Sequence, residues 1–234
     1  MGWNIVYRDP DTPAVLGSAL VADNEGDGVA SRVLTLSGVA AGGVTLLSWV
    51  AIRTAIFAGP PTANNGNSYT QVFSEIYSPD FNQYSCRGYR AYEAAGGSDH
   101  TLTVTKSSGN TEELTSAILA VTTSEVFDSA VVVRNANGAG ASHTSGVVTT
   151  TKGALLVAIG SGTGNVNVTA PTQTWPSEWT VLQSVARSEA QAPNGHIPFY
   201  LAVRQVTTPG DYSVAVQTTI NEGIMLALYA MQVP

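Results

Sequence analysis

Apolar residues recur along the chain in short runs or in alternation with Thr and Ser, and Gly, Pro, Asn and Asp break the pattern at spacings of roughly 8 to 15 residues. No long stretch places apolar residues at i, i+3, i+4 and i+7, so helix is not predicted. The pattern predicts strands over Ser31–Leu36, Val44–Phe57, Tyr69–Tyr77, Gly88–Glu93, Thr101–Lys106 and Ala117–Thr122 in the first part of the chain. In the second part it predicts Gly146–Thr150, Ala154–Ser161, Thr180–Arg187, Phe199–Val206, Tyr212–Thr218 and Gly223–Val233. Leu155–Ile159 and Ile224–Met231 are continuously apolar, which suits central strands covered on both faces. Thr101–Lys106 and Tyr212–Gln217 alternate, as a strand with one wet face should. Many short strands with turn-rich connections predict an all-β protein of antiparallel sandwich or jelly-roll type.

The strand pattern occurs twice. Gly43–Ile52 corresponds to Gly153–Ile159, Tyr69–Val72 to Trp179–Leu182, His100–Val104 to Tyr212–Val216, and Ala117–Val121 to Met225–Tyr229, at offsets of 108 to 112. Four segments in one order imply an internal duplication of a unit of roughly 100 residues, long enough to bury its own core. The expectation is therefore two tandem sandwiches, residues 29–133 and 144–234, joined by a small, Gly-rich linker at 134–143. Ser124–Val133 is read as a strand that closes the first domain or pairs with the second. Residues 1–28 show no counterpart in the second copy and are read as an N-terminal arm or as an extra edge strand.

Charged residues make up 12% of the chain and apolar residues 44%, so the low charge does not signal disorder. The formal net charge is −7, and the only cations are Lys106, Lys152 and eight Arg spread along the chain. That distribution excludes a concentrated phosphate-binding face, so no nucleic-acid partner is expected. No apolar run approaches the ~18 residues needed to span a membrane as a helix. Met1–Arg8 lacks the basic-then-apolar order of a secretory signal, so a product made in the cytoplasm without a signal peptide is expected. Cys86 is single and is read as a small packed residue.

Candidate chemistry is sparse. Asp23-Asn24-Glu25-Gly26-Asp27-Gly28 sets three carboxylates at alternate positions, like the front of a calcium loop. The twelfth position of that loop should be a bidentate Glu and is Leu34 here. Asp23, Glu25 and Asp27 are thus candidate calcium ligands set against the plainer reading of an acidic turn, and no other cofactor is implied. No Gly-x-Ser-x-Gly, His-Glu-x-x-His or phosphate-loop pattern occurs. His100, His143 and His196 are all expected at turns or in the linker, and the adjacent carboxylates Glu112 and Glu113 point to opposite faces of a strand. The chain is read as a non-enzyme. Aromatics are more suggestive: Tyr77, Phe81, Tyr84, Tyr89 and Tyr92 crowd one region among Asp80, Asn82, Gln83, Arg87 and Arg90. Trp175 and Trp179 flank Pro176 in the second copy. Rings beside amides and Arg suit sugar faces or protein interfaces. Core filling is the expected role of Tyr69, Tyr92 and Trp179. Tyr77, Phe81, Tyr84, Arg87 and Trp175 are the candidate carbohydrate- or partner-binding residues, because they lie where the copies differ and binding tends to reside in variable loops on a rigid scaffold.

The segments Gly146–Ile159, Ala170-Pro171-Thr172, Trp179–Leu182 and Phe199–Val203 together resemble a β-sandwich module of virion surface proteins. It is found in tailed phages and phage-like gene transfer agents, as head spikes, decorations or tail-associated proteins. The resemblance covers about residues 29–233; the first copy follows it more loosely, with Arg90-Ala91-Tyr92 at the third element. It implies a non-enzymatic protein on the particle surface that contacts capsid or tail proteins, forms symmetric homo-oligomers and aids attachment to the host surface. It supplies no catalytic residues. Two other readings stand beside it: a carbohydrate-binding adhesin that recognises host surface polysaccharide, and a polysaccharide-degrading enzyme.

Overall fold

The computed structural model describes residues 12–22, 31–39, 44–53, 60–64, 66–77, 84–92, 99–105, 114–122, 124–135, 142–164, 172–185, 198–218 and 222–234. Among them are eighteen strands and no helix. The first half contains β1 (Val15–Ala22), β2 (Ser31–Ser37), β3 (Val44–Arg53), β4 (Thr62–Ala63), β5 (Thr70–Tyr77), β6 (Tyr84–Ala91), β7 (Asp99–Thr105) and β8 (Leu114–Thr122). The second contains β9 (Glu125–Asn135), β10 (Ser142–Thr144), β11 (Val148–Thr150), β12 (Ala154–Gly164), β13 (Gln173–Thr174), β14 (Thr180–Val185), β15 (Phe199–Val206), β16 (Gly210–Tyr212), β17 (Ala215–Thr218) and β18 (Glu222–Gln232). All ladders are antiparallel, and the two halves have the form of tandem β-sandwiches.

Each half pairs a five-stranded inner sheet with small outer sheets. The inner sheets run β1-β8-β3-β6-β5 and β9-β18-β12-β15-β14, which is one order used twice. The outer sheets are β2-β7-β4 in the first half, and β10-β17-β13 with β11-β16 in the second. Alternation decides what each face buries. Leu46, Val50, Tyr89, Leu114 and Ile118 face Leu34, Leu36, Leu102 and Val104 of the first outer sheet. Leu156, Ala158, Ala202, Leu226 and Leu228 face Val148, Val214 and Val216 of the second. The remaining residues of the inner sheets, among them Leu47, Trp49, Leu119, Val157, Ile159, Leu201 and Tyr229, form a single cluster shared by both halves. The molecule is thus four layers deep, with the two inner sheets back to back. That is why β12 and β18 are continuously apolar: both of their faces are covered.

The registers make the duplication more regular than the sequence does. Trp49 pairs with Ala117, and Ile159 with Ala227, so β3/β12 and β8/β18 share one offset of 110. The sequence match of Ala117–Val121 to Met225–Tyr229 is two residues out of this register. A slip of two keeps every side chain on its own face, so the apolar pattern cannot detect it. β1 also has a counterpart: it pairs with β8 at the sheet edge as β9 pairs with β18. The N-terminal region therefore contributes a duplicated edge strand. The chain crosses from one half to the other between Thr122 and Glu125, upstream of the Gly-rich stretch, of which residues 136–141 lie outside the described residues.

All four edge strands of the inner sheets carry a β-bulge. The ladders step between Val15 and Gly17, between Gln71 and Phe73, opposite Ala230/Met231 on β9, and between Val181 and Gln183. Leu16, Val72, Phe127 and Leu182 are the extra residues. Val72 and Leu182, equivalent by the repeat, pack against the shared inner cluster and close its sides. Bulged edges resist pairing with another sheet, which is a standard defence of exposed strands. The junction is tied down by hydroxyls. Thr45 Oγ1 donates to Ser124 O at 2.7 Å and accepts from Ser124 N at 3.1 Å, while Ala14 N donates to Thr122 Oγ1 and Thr122 N to Ala14 O, both at 2.9 Å.

Candidate functional site

The ladder of β5 with β6 sets Tyr77 directly opposite Tyr84, at the mouth of the hairpin that joins the two strands. Their side chains lie outside the described portion, as does all of Phe81. Arg87 sits further along β6, opposite Val50 on β3 and Ser74 on β5. By alternation it shares the outward face of the inner sheet with Tyr89. Tyr89 is core rather than surface: it is buried, and that burial raises its phenol pKa while the Arg87 guanidinium beside it pulls the other way. Tyr92 reverses an expectation. Predicted to fill the core, it is 40% exposed just past the end of β6, where Arg90 Nη1 donates to its hydroxyl at 2.8 Å and Arg90 lies over its ring at 4.7 Å. The strand ends at Ala91, so alternation no longer governs the next residue. Tyr69 packs against the first outer core, and Trp179 is 6% exposed in the second, as core-filling residues.

Trp175 lies in the connection between β13 and β14 of the second half, whereas Tyr77, Tyr84 and Arg87 belong to the β5–β6 ladder of the first. It is half-buried; its ring stacks obliquely on Trp179 at 6.0 Å, and its indole N–H is enclosed. Gly160 makes this packing feasible, because a Cβ there would come within 3.0 Å of the Trp175 ring and would overlap the Gln173 side chain. Gln173 is buried with its amide atoms unpartnered, and its backbone N–H donates to Tyr200 Oη at 3.2 Å. Arg204 and the exposed Glu178 approach to 3.5 Å beside this cluster, and Arg204 lies 5.8 Å from the Tyr212 ring centre. Gln173, Arg204 and Tyr212 were not singled out in the sequence. The only signal for them was proximity to two Trp, which does not say which neighbours the fold brings in.

Two histidines also sit differently from the sequence expectation. His100 lies in β7 at 1% exposure, with neither ring nitrogen hydrogen-bonded. His143 lies buried in β10, 3.3 Å from Thr218 Oγ1. Polar residues beside turn-forming sequence read as loop, yet alternation with Leu102 and Val104 carries His100 into the core. His196 and the candidate calcium ligands Asp23, Glu25 and Asp27 lie outside the described residues. Among the described residues no three His, Cys, Asp or Glu side chains converge as metal ligands, and no helix is long and apolar enough to cross a membrane. No protein-family model, curated protein or solved structure matches the chain.

Proposed function

We propose that this chain is a non-enzymatic structural protein of the virion surface, carried on a phage or gene-transfer-agent particle and contacting its capsid or tail proteins. The observation that carries the reading is the build of the molecule: duplicated sandwiches set back to back, with all four inner-sheet edges bulged. Such a block meets partners through faces and loops rather than by adding strands. The outer face of β2-β7-β4 presents Val33, Thr35, Thr62, Thr101, Thr103 and Thr105, a hydroxyl-rich surface that also carries Asp99. The resemblance of Gly146–Val203 to virion sandwich modules supports the same reading. Co-sedimentation of the purified protein with particles lacking it is the test. Binding in stoichiometric amount is expected, and failure to associate with any particle sinks the proposal.

A carbohydrate-binding role at the host surface is the second reading. The half-buried Trp175 near the Arg204–Glu178 pair, and Tyr77 and Tyr84 paired across the β5–β6 ladder, favour it. A glycan array decides it: binding should fall at least about tenfold in Tyr84→Ala or Trp175→Ala, the loss expected for one stacked ring. Unchanged binding in both variants rules these residues out.

A further inference from the structure

The shared inner layer joins two copies of one sheet order, each covering the other. Some equivalent positions, taken from the registers, are alike: Leu47 and Val157, Ala117 and Ala227, Val121 and Met231. Others differ: Thr45 corresponds to Leu155, Thr115 to Met225 and Cys86 to Phe199, and the three that matter here are Trp49 with Ile159, Tyr229 with Leu119 and Gly88 with Leu201.

These three odd residues meet. Trp49 Nε1 donates to Tyr229 Oη at 3.1 Å, both side chains are fully buried, and their rings lie 5.9 Å apart. A Cβ on Gly88 would stand 2.7 Å from the Tyr229 hydroxyl and would overlap the Phe73 ring, which packs 6.2 Å from Tyr229. The missing side chain at position 88 thus makes room for the tyrosine of the other half. Cys86 also lines the layer.

We propose that Trp49, Gly88, Phe73 and Tyr229 form a pairing lock. It selects the sheet of the first half packed on the sheet of the second over the packing of like sheets from two copies of the chain. In a first-on-first layer each Trp49 would face Leu119, its indole N–H would lack an acceptor, and the space above Gly88 would be unfilled. In a second-on-second layer each Tyr229 hydroxyl would face Ile159 without a donor, and Leu201 would occupy the space the hydroxyl needs. A twofold layer commits every such fault twice, and buried unpartnered polar atoms and cavities are among the costliest faults a core can hold. Specificity is set here by penalties on the wrong pairings as much as by the one correct hydrogen bond. The lock complements the bulged edges: they oppose pairing strand to strand, and it opposes pairing face to face.

The test is the solution mass over a wide range of protein concentration, by size exclusion with light scattering. Trp49→Ile combined with Tyr229→Leu removes both partners of the lock and gives each position the residue found at its equivalent in the other half. This variant should gain species of twice the wild-type mass, rising with concentration. Tyr229→Phe retains the rings and removes only the acceptor, so it keeps the packing needed to fold and should shift in the same direction by a smaller amount. If the double variant does not fold, Tyr229→Phe alone decides. Wild-type mass at every concentration in the folded variants overturns the proposal.

Discussion

Gly88 is the residue on which the inner layer turns. It needs no unusual backbone angle; its role is to be absent beyond Cα, where Phe73 and Tyr229 press in. Gly88→Ala should lower stability by about 1–3 kcal/mol, the range for overpacking a dense core. A thermal melt at or above wild type would contradict this. Trp49→Phe removes the donor to Tyr229 and leaves a buried hydroxyl without a partner, at a cost of about 1–3 kcal/mol in denaturant unfolding. Tyrosine also sets the response to alkali. Burial raises the pKa of Tyr69, Tyr89 and Tyr229 above the ordinary value of 10.0. The unfolded chain therefore loses those protons first. Stability is full below about pH 10 and falls as the pH rises beyond it, by up to ~1.4 kcal/mol per pH unit for each such tyrosine. Tyrosinate absorbance should appear together with unfolding; free titration of these three phenols in the folded protein would refute the account.

Among the elements, the outer sheet of the first half covers several buried polar groups that lack partners. Its strand β7 buries His100 with no hydrogen-bond partner, and beneath it Ser48 Oγ and Ser116 Oγ are buried and unpartnered on β3 and β8. Leaving such groups unpartnered is destabilising, so His100→Leu should raise stability by about 1–3 kcal/mol, read from the denaturation midpoint. A lowered midpoint would mean that His100 has a partner in solution. The strands legible in the sequence were those whose pattern is set by burial. Phe199–Val206 was found to the residue, and β3, β5, β8 and β18 were found within a few residues at each end. The short strands β4, β10 and β13 have two or three residues each, too few for a period to show. β1 escaped as a member of the repeat because an edge strand is half-covered and its sequence is free to drift while its backbone pairing stays.

At the scale of the whole molecule, the two sandwiches are bound by one core. Residues from both halves make up the inner cluster, and Gln183 Nε2 of the second half donates to Ser18 O and Oγ of the first at 3.2 and 3.0 Å. Neither inner sheet has a dry face of its own to spare. Heat should therefore unfold the halves in a single transition, with calorimetric and van't Hoff enthalpies equal. Two resolved transitions would show that each half carries a sufficient core alone.

The fold class and the duplication were legible in the sequence, because alternation and apolar runs are local properties of the chain. Of the candidate residues, Trp175 was expected in a loop, since aromatics beside Pro and Ser announce one, and it lies between β13 and β14. Only the tertiary structure decided that the copies stand back to back, that Tyr89 and His100 turn inward, and that Trp49 meets Tyr229 across 180 residues of chain. The physical reason is that a strand's pattern states which positions are buried and leaves open what covers them. A glycine at 88 and a tyrosine at 229 read as unrelated until two sheets bring them into contact.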